Sequence, residues 1–197
     1  MTDAELCIKR AFDIFASATG LVLLSPLFAI IALQVKLSSK GAVLYSQERI
    51  GKYGLPFNIY KFRTMVANAE EEGLPQLTHD NDPRITRIGH WLRKYRLDEL
   101  PQLWNILCGD MSIVGPRPER AYFIEQIMTD APYYCLLYKV RPGLTSWGPI
   151  RVGYTDTIEK MIERLNCDIV YVENMSLLLD LKILFYTTGV ILRGKGK

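Results

Sequence analysis

Between residues 14 and 35 the chain carries no charged side chain, and the pair Ser25-Pro26 sits in the middle of that run. At about 1.5 Å per residue, a helix of this length spans the roughly 30 Å hydrocarbon layer of a bilayer once. Proline removes a helix hydrogen bond and bends the rod, and a neighbouring serine hydroxyl can satisfy a freed carbonyl. A cleaved leader is not expected, because the run is too long and no small-residue cleavage site follows. Two arrangements remain open: a single crossing, or a helix-break-helix that returns to the side it entered. Lys9 and Arg10 precede the run, and Lys36 and Lys40 follow it. Cations at both ends name no outside end, which favours both ends on the cytoplasmic face.

The rest of the 197 residues suits one domain with a sizeable core. Apolar residues make up 49% of the chain, enough for a membrane segment in addition to that core. A net charge of +3 is too mild to argue for nucleic acid, and no array of stacking aromatics accompanies the basic residues. Cys7, Cys108, Cys135 and Cys167 show no C-x-x-C spacing, with only His79 and His90 beside them. A zinc site is therefore not expected, and the cysteines read as buried small hydrophobes in a reducing compartment.

Residues 42–50 and 57–65 read as two strands joined by a turn at 51–54. Period two puts Lys61 and Arg63 on one face and Tyr60 and Phe62 on the other, so the strand can line a charged cleft or face water. Helices are expected over 66–73, 85–95, 120–137 with a break near Pro132, 157–167 and 175–192, with a loop over 74–84. In the last helix Asp180 and Lys182 argue against a span, and Leu177, Leu181, Leu184 and Phe185 form one face. That face is expected against the core rather than on a membrane surface. The expected class is α+β, mostly helical with a small antiparallel sheet.

The densest chemistry lies in residues 91–119. Asp98 reads as a helix cap, Pro101 as a first-turn residue, Leu100, Leu103, Trp104 and Leu107 as the apolar stripe, and Gly109 as the stop. Asp98 and Glu99 then point about 100° apart at the positive end of a helix, where a phosphate also binds. Arg87, Arg93, Lys94 and Arg96 precede the acid pair. Gly115-Pro116-Arg117-Pro118 follows, and its prolines present Arg117 in an extended, rigid turn suited to bidentate phosphate binding. The plain alternative is a capping aspartate, a solvated charge run and a loop with an exposed arginine.

The segment Leu97-Asp98-Glu99-Leu100-Pro101-Gln102-Leu103-Trp104-Asn105, followed by Gly109-Asp110-Met111-Ser112-Ile113-Val114-Gly115-Pro116-Arg117-Pro118, resembles the signature of the bacterial sugar transferases. These are monotopic polyprenyl-phosphate phosphoglycosyltransferases. The resemblance implies a re-entrant membrane helix over 1–40, broken at Ser25 and Pro26. A catalytic domain over 41–197 would lie on the cytoplasmic face of the bacterial inner membrane. It implies that a phospho-sugar moves from a UDP-sugar to polyprenyl phosphate with release of UMP.

In that family's terms Asp98 is the nucleophile and sits close to Mg²⁺, with Glu99 supporting the metal or a proton. Lys61 matches the lysine of a Tyr-Lys-Phe motif, Arg93 matches an arginine five residues before the catalytic aspartate, and Asp168 matches an acid near the active site. Lys61, Arg93 and Arg117 would hold phosphates, with Arg151 and Asp168 also among the expected substrate- or phosphate-binding residues. Around Trp147 the chain departs from the pattern: Pro149 stands for a glutamine and Gly153 for an arginine, with Arg151 as the nearby substitute for that charge. Two other functions remain open, a glycosyl transfer that releases UDP and a non-catalytic scaffold for anionic lipids. The sugar is not named by the sequence, and a homodimer is left open.

Overall fold

The computed structural model describes residues 1–66, 69, 75–79, 82–153 and 155–194. Its first elements are a helix α1 (Asp3–Leu23) and a helix α2 (Ser25–Ser38), bent by 62° at the break between them. Thr2 and Glu5 close a capping box at the start of α1. Ser25 and Pro26 open α2, where the missing proline N–H leaves no gap in the helix ladder. The Ser25 hydroxyl donates to the Val22 carbonyl at 2.7 Å, one of the carbonyls that the break frees. No single helix among the described residues is long and apolar enough to cross a membrane, but this bent pair passes the same test of length and composition.

Strands β1 (Leu44–Ile50) and β2 (Pro56–Phe62) form an antiparallel hairpin in which Tyr45 faces Lys61. The second expected strand ends at Phe62, and beyond it Met65 makes only an isolated bridge to Ile85. Helix α3 (Arg87–Lys94) is capped by Thr86. A 3-10 turn (Leu97–Glu99) then leads into the short helix α4 (Gln102–Cys108), and Gly109 ends that helix with φ at 101°. Strand β3 (Ser112–Val114) runs parallel to β4 (Gly143–Thr145), a second small sheet that the strand pattern did not disclose. Helix α5 (Ala121–Asp130) breaks before Pro132 into a 3-10 segment (Pro132–Lys139). Three helices complete the chain: α6 (Trp147–Val152), α7 (Ile158–Glu173) and α8 (Leu177–Leu192). The architecture is α+β and mostly helical. The acidic helix expected over 66–73 falls, apart from Val66 and Ala69, outside the described residues.

The first helices are packed into the rest of the chain rather than apart from it. Ile31 and Val35 of α2 bury against Phe62 and Leu92, while α1 lies along α4, with Gly20 against Leu103. The hairpin sits on α4 through Ile59, Leu103, Ile106 and Met111. Helices α5 and α7 share a core of Phe123, Ile127, Tyr134, Met161 and Leu165.

Two expectations are corrected here. Cys7, Cys108 and Cys135 are exposed and Cys167 is half-buried. In α8, Leu181 and Phe185 face outward, with Phe185 78% exposed, although Leu184 does pack inward. The cause is Asp180, which turns inward to bond Lys9 and the Tyr171 hydroxyl and so rotates the helix about its axis.

Asn105 joins α4 to the hairpin. Its amide nitrogen donates to the Asn58 carbonyl at 2.7 Å, and its side-chain oxygen accepts from the Tyr60 N–H at 3.2 Å. Asn105→Leu strands those buried backbone groups, and the expected loss is on the order of 2–3 kcal/mol. Urea denaturation measures it; an unchanged midpoint contradicts the assignment.

Candidate active site

The turn carrying the two carboxylates is built on a strained residue. Arg96 is left-handed, with φ 55° and ψ 24°, a conformation that costs a non-glycine residue free energy. The chain reverses there and winds into the 3-10 turn, so α4 starts only after Pro101. Asp98 is therefore not the cap of α4, whose N-cap is Pro101, with no side-chain cap bond among the described residues. Asp98 is 7% and Glu99 6% exposed. Both nevertheless border a cavity of about 320 Å³, whose wall also includes Lys61, Arg93, Arg96 and Arg117.

Glu99 gathers three cations. Its Oε1 accepts from Lys61 Nζ at 2.8 Å and from Arg117 Nη2 at 3.0 Å, and its Oε2 accepts from Arg96 Nη1 at 3.4 Å. Burial pushes the Glu99 carboxyl up, but these cations together hold it well below its ordinary value. Burial likewise lowers Lys61, while Glu99 opposes that shift. Glu99 raises Arg117 further and keeps it charged.

Asp98 is in the opposite condition. Among the described residues no hydrogen bond or ion pair reaches its carboxylate. Burial, and then the charge of Glu99, push it above the ordinary value, with Lys61, Arg93 and Arg96 opposing. An underbonded carboxylate facing a basic cavity is suited to attack an electron-poor centre or to take a cation. No group of three or more metal-ligating side chains occurs among the described residues. The Asp98 oxygens carry no hydrogen bond among the described residues, while those of Glu99 accept from Lys61, Arg117 and Arg96.

Arg117 is held from behind. Asp168 accepts from the Arg117 backbone N–H at 3.2 Å, from the Gly148 N–H at 2.8 Å and from the Ser146 hydroxyl. Asp168 is fully buried and absent from the cavity wall, and it braces the Gly115-Pro116-Arg117-Pro118 turn that presents Arg117 to the cavity. That turn leaves no space at Gly115, where an added Cβ would meet the Arg141 carbonyl at 2.5 Å. Arg93 does line the cavity, with its Nε on the Thr64 hydroxyl at 2.9 Å. Arg151 does not; it lies over the Trp147 ring at 5.3 Å, because α6 turns it outward and leaves Pro149 and Gly153 on the wall. Arg63, paired with Lys61 by strand alternation, spends its guanidinium on the carbonyls of Val35, Ser39 and Ala42 at the end of α2.

A second charged group on the wall was not foreseen. Glu119 accepts from Arg49 Nη1 at 3.0 Å and from Arg164, whose other nitrogen reaches the Thr155 hydroxyl at 2.7 Å. Burial raises Glu119, and Arg164 and Arg49 bring it below its ordinary value. These partners come from β1 and α7, far apart in the chain, and carry no local motif. The one signal was Glu119 itself, the acid directly after the proline-bracketed arginine.

The cavity is thus walled by cations and carries one ion-paired and one underbonded carboxylate. The chain belongs to the bacterial sugar transferase family, whose model matches residues 4–194. It is 43% identical, over 96% of its length, to a UDP-N-acetylgalactosamine-undecaprenyl-phosphate N-acetylgalactosaminephosphotransferase of Aeromonas hydrophila. It is 45% identical, over 91% of its length, to a UDP-glucose:undecaprenyl-phosphate glucose-1-phosphate transferase of Escherichia coli K12. It spans only 44% and 39% of those two proteins. An exopolysaccharide production protein PSS of Rhizobium leguminosarum is matched over 99% of its own length and 98% of this chain, at 42% identity.

The two carboxylates have opposite linkage to folding. Folding penalises ionised Asp98, so its stability penalty grows as pH rises from the ordinary 3.8 through the raised folded value. Asp98→Asn removes that penalty: the variant should melt above wild type at pH 7, with the difference closing towards about pH 4. Glu99 stabilises above its ordinary 4.5 and loses that contribution as pH falls through its depressed value. Glu99→Gln should melt below wild type at pH 7, with the difference narrowing on acidification. Differences that do not change with pH contradict both assignments.

Proposed function

We propose that this chain moves a phospho-sugar from a UDP-sugar to polyprenyl phosphate, giving polyprenyl-diphospho-sugar and UMP, the opening step of a surface-glycan assembly. The observation that carries the reading is the asymmetry of the acid pair, with Glu99 bonded to Lys61, Arg117 and Arg96 and Asp98 unbonded among the described residues. The names of the relatives point to the same class of substrates.

In this mechanism an Asp98 oxygen attacks the β-phosphorus of the UDP-sugar. The aspartyl–phosphorus bond forms as the bond to the bridging oxygen breaks, and UMP leaves with that oxygen. An oxygen of polyprenyl phosphate then attacks the same phosphorus and releases the Asp98 carboxylate. Both substrates are anions, so repulsion must be offset by fixed charge. Arg93, Lys61 and Arg117 supply it from the cavity wall. Glu99 keeps two of those cations in place and charged. Asp98 and Glu99 are the carboxylates on the wall that would hold a magnesium ion, which would supply neutralisation of phosphate charge.

The bent pair α1–α2 would enter the cytoplasmic leaflet of the bacterial inner membrane and return. Phe15, Val22, Leu23, Ile30, Leu33 and Leu37 are exposed on it, an arrangement that suits contact with lipid. The lipid substrate then need not leave the bilayer to reach the cavity.

The test is a panel of UDP-sugars with polyprenyl phosphate and magnesium, scored for the nucleotide released. UMP supports the reading, and UDP would show that only the sugar moves. Asp98→Asn should lose on the order of a thousandfold in kcat, and Arg117→Leu or Lys61→Met about a hundredfold. Near-wild-type turnover by Asp98→Asn would end the nucleophile assignment. For topology, single cysteines at positions 2 and 40 in a cysteine-free background should both label from the cytoplasmic side only. Labelling of one from each side would establish a crossing.

A further inference from the structure

We infer that Lys9, Arg10 and Asp13 of α1 are positioning residues for the reacting groups, acting through β3 and α4. The inference rests on the reading of Asp98 and Arg117 given above. Lys9 and Asp13 are four residues apart and share one face of α1, and Arg10 points about 100° away from Lys9. All three grip backbone atoms of the elements that carry the site. Lys9 Nζ donates to the Val114 carbonyl at 2.9 Å, and Asp13 accepts from the Ile113 N–H at 3.0 Å. Strand β3 is thus held by α1 on one side and by β4 on the other, directly before Gly115-Pro116-Arg117-Pro118. Arg10 donates to the carbonyls of Ile106 and Leu107 at 2.7 and 3.1 Å, the last turn of the helix whose opposite end follows Asp98 and Glu99.

One turn of α1 therefore fixes both bodies whose separation sets the 3.0 Å bond between Arg117 and Glu99. Stability is a weak reason for this chemistry. Lys9 pairs with Asp180 in a buried site that also holds the Tyr171 hydroxyl, 2.7 Å from Asp180. A buried ion pair is commonly matched or exceeded in stability by well-packed apolar residues. Leucine or methionine would hold the helix against the core, but neither would bond the carbonyl of Val114. What the charged residues add is direction.

The full chain, in detergent or lipid, tests this with activity expressed per folded molecule. The triple variant Lys9→Met, Tyr171→Phe, Asp180→Leu removes the ion pair and the tyrosine hydroxyl together, leaving the Val114 carbonyl without either side-chain donor. It is expected to melt within a few degrees of wild type, yet to lose at least tenfold in kcat with the donor KM within twofold. Asp13→Asn, which keeps an oxygen for the Ile113 N–H, should retain most activity, and Asp13→Leu should lose at least tenfold. Arg10→Lys, able to reach one carbonyl, should recover part of what Arg10→Gln loses. Wild-type kcat per folded molecule in the triple variant, Asp13→Leu or Arg10→Gln overturns the inference. If the triple variant fails to fold, the Asp13 and Arg10 series decides alone. Asp98→Asn run in parallel separates the two readings: activity there removes the site itself, whereas an inactive Asp98→Asn beside fully active α1 variants removes only the positioning role.

Discussion

The bond network of Glu99 is the constraint on which the site depends. A buried carboxylate needs compensating charge, and here that charge comes from three separate parts of the fold. Lys61 arrives from the hairpin, Arg117 from the turn after β3, and Arg96 from the strained reversal after α3. Removing any one leaves the others less well balanced, so the hairpin, the turn and the reversal are held to a common centre. Asp168 and Asn105 extend that logic outward, bracing the Arg117 backbone and the hairpin respectively.

With these cations drawn to Glu99, Asp98 bears the cost of burial with no hydrogen bond from the described residues to offset it. Such a group lowers stability at neutral pH, and chains keep such groups where chemistry requires them. The same two adjacent residues thus divide the work. One carboxylate organises the cations. The other remains underbonded and faces the cavity those cations line.

Much of this was legible in residues 91–119. The acid pair, Arg93 and Arg96 from the basic run before it, and the proline-bracketed arginine do converge, and Lys61 joins them where the family resemblance put it, a position the strand alternation alone left open. Three features were not legible. The capping role expected of Asp98 failed because the left-handed Arg96 inserts a 3-10 turn ahead of α4, a conformation that no residue type advertises. Arg151 and Asp168 lie off the cavity because α6 and α7 pack tightly across Gly148, where an added Cβ would meet Arg164 Cγ at 2.4 Å. The Arg49–Glu119–Arg164 group, like the Lys9–Asp180 pair, joins residues from distant elements, and a linear pattern holds no trace of such pairings. The outward face of α8 has the same origin, since an aspartate in an apolar helix reads as exposed until its buried partner is known.

The central claim is that Asp98 forms a covalent bond to the transferred phosphorus before the lipid substrate takes part. The direct measurement is a single turnover with the cognate UDP-sugar and magnesium but no polyprenyl phosphate, followed by mass analysis of the peptide containing Asp98. The account predicts UMP in amounts approaching one per enzyme and a phospho-sugar adduct on that peptide, both absent in Asp98→Asn. UMP that appears only once polyprenyl phosphate is added, with no adduct trapped, would contradict it.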